Sequence, residues 1–409
     1  MHHTIKGRDP LSLPHQLEAA SRALSAGQTP LAVHVCRRWE DLEGFRGSWD
    51  DLLAQNHNAS IFMTPEWLGS WWRAYGKDRA FLGLVFVDGD RRVAGIAPLF
   101  LEHKSFFTFR LQNLRMVGAG SGDSDALDFI VKPGAGEMVA KTLVAWLEKE
   151  TSWDTCWLET LAPDSATGRE LLTVLDHQGW PHWTASTAHF FVDLPPTWEA
   201  YLQDLAPEFR PLLTRYPKRL QGRYRMRVCR CECANELAPS LKALFTLHQM
   251  RWMQRGEPGA FSSPERRDFY LRMAEAFLRR GWLEFWLLAL DDETVAVQFC
   301  FRYRDTVYLL QEGFNPKYAA EKVGYALRAQ VLKEMIAAGA KRYDFLGGDD
   351  RYKLSFGARQ DTYFDLQFAG DRPLGRACLA QQRQARQSKR WIKSHLPPSV
   401  LALLQRRAA

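Results

Sequence analysis

The sequence predicts an α/β protein built from two halves of related topology. Its 409 residues are enough for two to three domains with sizeable cores. The predicted order hairpin, strand, helix, strand occurs twice along the chain, and two prolines in the segment DLPPTW, residues 193–198, separate the two occurrences. We therefore expect halves at 31–192 and 193–370, a poorly ordered N-terminal arm at 1–30 with one short helix near 16–24, and a C-terminal tail at 371–409.

The first half begins with two predicted helices. Residues 41–53 carry apolar side chains at helical spacing, and residues 65–75 follow Thr64 as N-cap with Pro65 at the first helical position. The apolar runs 81–88 and 93–101 flank DGDRR, whose Asp-Gly pair is typical of a hairpin turn. The remaining predicted elements are a strand at 128–131, a helix at 136–150 and a strand at 155–160.

The second half repeats this order. Residues 283–290 and 294–303 flank the turn DDE, and VDGDRRVAGIAPLF can be laid beside LDDETVAVQFCF. The elements that follow are a strand at 306–312, a helix at 323–338 and a strand at 341–346. The same order of elements in both halves predicts an internal duplication.

Composition excludes several classes of protein. A chain with 46% hydrophobic and 25% charged residues is typical of a soluble globular protein, not of a disordered or collagen-like one. The longest apolar run, 281–290, is interrupted by Glu284 and is too short for a membrane span. The N-terminus lacks a signal-peptide pattern, so we expect a cytoplasmic location.

Seven dispersed cysteines indicate reduced, mostly buried thiols rather than a disulfide framework. Three of them lie in CRCEC, at Cys229, Cys231 and Cys233. On a strand the first and third would lie roughly 13 Å apart. A single zinc ion could not reach both. We therefore expect no metal site.

The net charge of +7 is concentrated in two regions. Residues 210–230 hold eight basic and no acidic side chains, and residues 371–409 hold nine basic side chains against Asp371. Such clusters bind nucleic acid, anionic lipid or phosphorylated substrates, but a solvated helix face carries the same charge. The tail ends in the amphipathic segment SVLALLQRR, so peripheral contact with the inner face of the plasma membrane and a simple solvated helix both stay open.

Three segments hold candidate functional residues. In the first segment, TVYLLQEGFNPKYAAEKVGYALRAQVL, a predicted strand leads through a loop to the start of a helix. Gly324 and either Lys317 or Lys322 would suit a diphosphate at this helix start. Every strand-loop-helix unit has a helix start, however, so a purely structural role stays open. In KRYDFLGGDDRYKLSFGA, Asp344 is a candidate base and Lys353 a candidate anion ligand at a strand end. The neighbouring Asp349 and Asp350 are either part of that site or caps of a following helix.

The third segment is FTLHQMRWMQRG, where His248 and Arg251 share one face of a predicted helix. His248 is either a catalytic base or a buried core histidine. The chain has no G-x-S-x-G elbow, so a Ser-His-Asp hydrolase mechanism has no support, and it has no P-loop or dinucleotide fingerprint.

Four segments together resemble a known family. They are TPEWLGSWWRAYG, LHQMRW, LQEGFNPKYAAEKVGYAL and YDFLGGDDRYKLSFGA, within a resemblance that spans residues 33–370. They resemble the BioF-like acetyltransferases of the GNAT superfamily, a group that includes the CelD-type cellulose-biosynthesis proteins and is related to the FemAB-type transferases. The resemblance implies two tandem GNAT-like domains, each a mixed, mostly antiparallel sheet flanked by helices, with the second catalytic and the first degenerate.

The resemblance also implies the site residues. Acetyl-CoA or another acyl-CoA would donate the acyl group, and no metal would take part. The pantetheine would lie along the strand edge and the diphosphate at the helix start, with the contacts Tyr308, Gln311, Glu312, Lys322, Val323, Gly324 and Tyr325. The catalytic set would be His248, Asp344, Tyr352 and Lys353, with His248 or Asp344 as the base, and Arg251 and Gln298 would bind the acceptor.

The diphosphate loop departs from the family pattern. GNAT loops usually read Gln/Arg-x-x-Gly-x-Gly/Ala, whereas this chain has Glu321 in the first position and Lys322 where BioF-like relatives commonly have serine. A lysine there can compensate for the charge of the acid.

The function expected from the resemblance is acyl transfer by direct attack on the thioester, to an amino or hydroxyl group of a saccharide or cell-envelope precursor. One alternative is a FemAB-like aminoacyltransferase that takes its donor from charged tRNA, which the two basic regions could hold. The other is a non-catalytic interaction protein in a polysaccharide-synthesis assembly.

Overall fold

The computed structural model describes residues 31–253, 259–348 and 351–395. The predicted arm at 1–30 with its helix near 16–24, the pair Asp349 and Asp350, and the tail segment SVLALLQRR lie outside the described residues.

Thirteen strands are present among the described residues: β1 Ala32–Cys36, β2 Ala80–Val87, β3 Val93–Phe106, β4 Phe109–Met116, β5 Ile130–Val131, β6 Thr155–Leu161, β7 His182–Asp193, β8 Met226–Arg230, β9 Leu283–Leu290, β10 Glu293–Tyr303, β11 Thr306–Phe314, β12 Arg342–Gly347 and β13 Arg359–Phe368. The α-helices in the same part of the chain are α1 Trp39–Glu43, α2 Arg46–Gln55, α3 Pro65–Tyr75, α4 Gly136–Lys149, α5 Ala166–Gln178, α6 Trp198–Asp204, α7 Arg210–Arg223, α8 Ala234–Met253, α9 Pro264–Arg280, α10 Val323–Ala337 and α11 Pro373–His395.

All thirteen strands belong to one continuous mixed sheet. Its order is β1-β2-β3-β4-β6-β13-β7-β12-β11-β10-β9-β8, with β5 attached to β3. Most neighbours are antiparallel, and the parallel pairs are β4 with β6 and β11 with β12. Each parallel pair is connected through a helix, α4 in the first half and α10 in the second, as a parallel crossover requires.

The two halves exchange a strand at the centre of the sheet. The second-half strand β13 pairs with β6 of the first half, and β7, which ends at Asp193, pairs with β12 of the second half. The exchanged strands also pair with each other over the whole of β13, from Arg359 opposite Phe191 to Phe368 opposite His182. The centre of the sheet is therefore built from both halves of the sequence.

Two hydrophobic cores cover the two faces of the second half. One core continues from the first half and includes α8, α9 and the inner face of α3; Trp67 of α3 packs edge-on against Phe269 of α9 at 5.2 Å between ring centroids. The other core lies under α6, α7 and α10. Side chains of β11 and β12 alternate between them, with Tyr308 in the first core and Tyr343 in the second.

Most predicted elements agree with the structure, and two predictions are wrong. The strand predicted at 128–131 is the two-residue β5, which pairs with β3, and the counterpart of β11 in the first half is β4, which is not among the predicted elements. The helix predicted at 41–53 is two helices, α1 and α2, because the chain leaves helical geometry at Phe45, where φ is −95° and ψ is 15°. The helix at 65–75 is confirmed, and the Thr64 hydroxyl accepts a hydrogen bond from the Trp67 backbone N–H as predicted for an N-cap. Both hairpins and the crossovers with α4 and α10 are also confirmed.

Two further observations concern membranes and cysteines. No helix in the described part of the chain is long and apolar enough to cross a membrane. Helix α11 occupies the described part of the tail and packs through its buried residues Cys378 and Leu379. All seven cysteines are free thiols, and five of them are buried.

Candidate functional site

The parallel strands β11 and β12 separate from each other along most of their length. Their register covers only Thr306–Tyr308 against Arg342–Asp344, although β11 continues to Phe314. Beyond Tyr308, the edge of β11 that faces β12 therefore carries backbone N–H and C=O groups that β12 does not engage. We call this opening the wedge; Tyr308 and Asp344 form its closed end.

A β-bulge lies on β11 just inside the wedge. Phe299 of β10 pairs with Gln311, but the next residue, Cys300, pairs with Leu309, so Leu310 is the extra residue. Bulges redirect neighbouring backbone groups and are frequent beside active sites. The equivalent pair in the first half, β3 with β4, keeps an unbroken register. The bulge therefore distinguishes the second half from the first.

A buried histidine–aspartate pair stands at the closed end of the wedge. His189 of β7 and Asp344 of β12 have side chains exposed by only 8% and 7%, and their Nε2 and Oδ2 atoms lie 3.0 Å apart. The second carboxylate oxygen of Asp344 accepts a hydrogen bond from the Leu346 backbone N–H at 2.8 Å. Each oxygen of Asp344 therefore has a hydrogen-bond partner inside the protein.

Two further charged side chains fix the end of β12. Asp125, from the glycine-rich loop after β4, accepts a hydrogen bond from the Gly347 backbone N–H at 2.7 Å. The buried Lys353 ammonium donates to the carbonyls of Leu346 and Gly347 at 3.2 and 3.0 Å. Since Leu346 has a positive φ of 60°, these bonds hold a backbone turn that few side chains adopt.

Electrostatic coupling joins these groups into one cluster. Burial raises the pKa of Asp125 to about 6, and the Asp344 carboxylate adds to the rise, whereas the Gly347 hydrogen bond, His189 and Lys353 oppose it. Burial and Asp344 also raise the pKa values of the Tyr308 and Tyr363 hydroxyls well above their ordinary range. We call the following set the junction cluster, because both halves contribute to it: Asp125, His189, Tyr308, Asp344, Lys353 and Tyr363.

Two predicted contacts, Gln298 on β10 and Glu312 on β11, lie on the opposite face of the sheet. Gln298 donates to Glu312 at 3.3 Å, and the buried Arg328 of α10 is ion-paired with the same carboxylate. The Arg328 guanidinium lies over the ring of Tyr352, 5.4 Å from its centroid. Gln298, Glu312 and Tyr352 therefore form a group with α10, and the sheet separates this group from Asp344.

His248 lies away from Asp344 on helix α8. It is buried, and its Nε2 accepts a hydrogen bond from the Trp252 indole N–H at 2.9 Å. Its backbone packs against Gly313, where an added Cβ would approach the His248 nitrogen to 2.7 Å. Gly313 is five positions after Tyr308 on β11, which is roughly 16 Å along a strand. Arg251 is on the same helix, and its side chain is outside the description.

The predicted diphosphate loop leads into α10. Lys322 is the N-cap, in the left-handed conformation with φ 55°, and Val323 is buried as the first helical residue. Tyr325 stacks on Phe356 with 12° between the ring planes. Gly324 has open space around it, because an added Cβ would meet only Phe314, at 3.9 Å.

The unusual acid of this loop has a basic partner. Glu321 forms a 2.8 Å ion pair with Arg223 at the end of α7. A guanidinium from another helix thus stands beside the position where GNAT loops usually have Gln or Arg. Gln311, predicted to contact the pantetheine, lies on β11 beside the bulge and is partly exposed.

Among the described residues of the first half, other side chains occupy the place of this cluster. By register, Arg115 of β4 and Trp157 of β6 occupy the positions that Tyr308 and Asp344 have in the second half. Arg115 is buried, is ion-paired with Glu102 at 2.8 Å and with Glu159, and lies over the Trp157 ring. A salt bridge and an indole therefore fill the closed end of the first-half wedge.

Sequence reasoning missed His189 and Asp125. His189 lies in the strand segment TAHFFVD, and Asp125 in a glycine-rich loop more than 200 residues before Gly347, which it contacts. Neither shows a motif or a spacing that links it to Asp344. The exchange of β7 brings His189 to the site, so only the sheet topology could reveal it. In the described part of the chain, no group of three His, Cys, Asp or Glu side chains is placed to hold a metal ion.

Comparisons with known proteins agree with this geometry. Residues 207–354 match the family model of the acetyltransferase (GNAT) domain, a range that holds the wedge, the bulge and α10. FemX aligns with a TM-score of 0.59 and 12% identity over 81% of this chain and 98% of FemX. A conserved protein of unknown function from Bacteroides thetaiotaomicron VPI-5482 aligns with a TM-score of 0.50 and 14% identity over 80% of this chain and 97% of that protein. No curated protein matches the sequence.

The fold is thus two tandem GNAT-like domains, and the class of the protein is acyltransferase.

Proposed function

We propose that this protein transfers an acetyl or other acyl group from acyl-CoA to an amino or hydroxyl group of a saccharide or cell-envelope precursor. The observation that carries the proposal is the wedge between β11 and β12, with its bulge at Leu310. A pantetheine arm carries amide groups, which can hydrogen-bond to the unengaged backbone edge of β11 as an added strand would.

The reaction needs three things near the thioester. A backbone N–H beside the bulge stabilises the oxyanion that forms on the thioester carbonyl. A base removes a proton from the acceptor as it attacks. The thiolate of CoA then leaves. The second half contains the bulge and the junction cluster, whereas Arg115 and Trp157 fill the equivalent place in the first half, which supports one donor site per chain.

The diphosphate of the donor would lie at the start of α10. The backbone N–H groups there and the helix dipole favour an anion. Lys322 adds a positive charge, and the ion pair with Arg223 offsets the negative charge of Glu321. These features support CoA as the donor despite the altered loop.

Calorimetric titration with acetyl-CoA tests the donor site. We expect the parent protein to bind acetyl-CoA and the Gly324→Trp variant to lose binding, because the indole would occupy the open space at the start of α10 without displacing the protein. Gly47→Trp is the matched control, since Gly47 is an exposed helical glycine of the first half with equally open surroundings. Equal binding by the parent and Gly324→Trp would contradict this location, and no binding by the parent would contradict CoA as the donor.

Charged tRNA is the second candidate donor. Helix α7 carries five of the eight basic residues of the 210–230 cluster and packs against α10 beside the proposed donor site. If tRNA is bound there, its affinity should fall by orders of magnitude between 50 and 200 mM salt, because each phosphate contact releases a counterion. Binding of acetyl-CoA together with weak tRNA binding would exclude this alternative.

The saccharide or envelope-precursor acceptor rests on the likeness to BioF-like proteins. Incubation with acetyl-CoA and D-glucosamine, followed by mass spectrometry of the sugar, tests it directly. Acetylated glucosamine would support an amino-sugar acceptor. Acetylation of other amines in preference to the sugar would contradict it.

A further inference from the structure

We propose that His189 is the general base of acyl transfer and that Asp344 is its positioning residue. This inference rests on the proposed function, since it assigns the proton transfer in that same reaction. Its basis is a buried imidazole at the closed end of the wedge, held on one nitrogen by Asp344 and with no hydrogen-bond partner on Nδ1 among the described residues.

The hydrogen bond to Asp344 fixes which nitrogen carries the proton. The Leu346 backbone N–H donates to one oxygen of Asp344, and because a carboxylate has only acceptors, we assign His189 Nε2 as the donor to the other oxygen. A neutral imidazole that donates from Nε2 keeps its lone pair on Nδ1. Asp344 thereby prepares Nδ1 to accept a proton, as the carboxylate of a catalytic triad orients its histidine.

Packing holds the ring in this orientation. The His189 ring stacks on Tyr363 with 4.3 Å between centroids and 24° between planes, and Phe191 lies at 5.3 Å. On the backbone, His189 pairs with Gly347 of β12 on one side and Asp361 of β13 on the other. A base built into the centre of a sheet loses little entropy when it meets the acceptor.

The other charged members of the junction cluster already have structural partners. Asp125 accepts the Gly347 N–H, and Lys353 donates to the carbonyls of Leu346 and Gly347. They hold the turn at the end of β12, next to the pairing of Gly347 with His189. His189 is thus the cluster member best placed to accept a proton.

The proposed step is balanced for an amine acceptor. The amine nitrogen attacks the thioester carbon and forms the C–N bond, and the electron pair of the C–S bond leaves with the CoA sulfur. One proton passes from the amine to His189 Nδ1 and from there to the thiolate. The products are the amide and CoA thiol, and the imidazole returns to its starting state.

The proposal also gives the first half of the chain a part in the reaction. The family match begins at residue 207, whereas His189 belongs to β7, which lies before it in sequence. The exchanged strand therefore supplies the base to the donor site, and the glycine-rich loop of the first half supplies Asp125. The site would be incomplete in a chain that starts at residue 207.

The tautomer of His189 gives a direct test that needs no acceptor. Long-range ¹H–¹⁵N correlation spectra of the full chain, labelled at its 11 histidines, report which ring nitrogen is protonated, and the His189→Gln variant assigns the signals. We expect the proton of His189 on Nε2 and an unprotonated Nδ1, with this preference lost in Asp344→Asn. A proton on Nδ1 in the parent would overturn the proposal.

Measuring the reaction rate and the acetyl-CoA affinity together distinguishes a role of His189 as base from a role in donor binding. Release of CoA thiol from acetyl-CoA, with D-glucosamine or water as the nucleophile, should fall at least about 100-fold in His189→Gln. Acetyl-CoA affinity by calorimetry should stay at the parent value, and His34→Gln, an exposed histidine of β1, should keep both rate and affinity. A His189→Gln protein with the parent rate would overturn the base assignment. A parent protein that does not bind acetyl-CoA would instead contradict the proposed function, on which the base assignment rests.

Discussion

At the scale of single residues, Asp125 makes the stability of the fold depend on pH. Burial raises its pKa from 3.8 to about 6 in the folded state. The Asp125 carboxyl therefore loses its proton at a lower pH in the unfolded chain than in the folded chain. The contribution of protonated Asp125 to the free energy of unfolding is complete below pH 4 and is lost as the pH rises through 6. Two pKa units correspond to about 3 kcal/mol.

We expect Asp125→Asn to remove the loss of stability between pH 4 and pH 7, because the amide oxygen can still accept a hydrogen bond from the Gly347 N–H without a buried charge. Urea unfolding of parent and variant at pH 4 and pH 7 measures it: the variant should gain up to about 3 kcal/mol over the parent at pH 7 and little at pH 4. Asp90→Asn, at an exposed turn, serves as the control and should keep the parent pH dependence. An unchanged pH dependence in Asp125→Asn would show that this carboxyl is not the source.

Residue chemistry was predictable from the sequence only where a local pattern marks it. Asp344 lies within a strand that ends in two glycines and Lys353 follows that strand, and the structure brings both into the junction cluster. His189 and Asp125 lie in segments with no such mark, and long-range strand pairing brings them to the site. The predicted partners Gln298 and Glu312 share a strand pair with Tyr308, but the alternation of side chains places them on the other face.

At the scale of elements, the contact between α8 and β11 fixes the wall of the wedge. Gly313 lies three residues after the bulge, and its missing side chain lets α8 approach the strand: an added Cβ would lie 2.7 Å from the His248 backbone nitrogen and 3.0 Å from the Leu247 carbonyl carbon. These neighbours are backbone atoms of a helix, which cannot move aside one at a time.

Gly313→Ala should therefore destabilise the protein by about 1–3 kcal/mol, as overpacking of a rigid contact usually does. Chemical unfolding measures the change. Gly222→Ala is the matched control, since Gly222 lies in α7 with nothing within 4 Å of its Cβ position, and the gain in helix propensity should leave the control neutral or more stable by about 0.5–1 kcal/mol. A Gly313→Ala protein as stable as the parent would mean that α8 can shift from β11.

Elements formed by local signals were predictable, and those formed by distant pairing were not. The helix at α3 has a cap and a proline at its start, and both hairpins have turn residues between alternating apolar runs. Strands β7 and β13 have no hairpin turn, because each pairs with strands of the other half. The helix predicted at 41–53 failed since apolar spacing continues across Phe45 although the backbone turns there.

At the scale of the whole molecule, the exchange of β7 and β13 couples the two halves. Strand β13 stands between β6 and β7, and the core of the first half continues under α8 and α9 of the second. Neither half can then lose its sheet without exposing the central strands of the other. Two domains joined only by a linker would unfold in separate steps.

We therefore expect one cooperative unfolding transition for the full chain. Leu82→Ala in β2 and Leu288→Ala in β9, both buried near opposite ends of the sheet, should each destabilise the protein by about 2–5 kcal/mol and lower the same transition. Hydrogen exchange followed by mass spectrometry under mild denaturant locates the effect: each variant should speed exchange in both β3 and β10. Faster exchange confined to the half that carries the substitution would mean that the halves unfold independently, and the exchanged strands would then act as a hinge between two stable units rather than as their common centre.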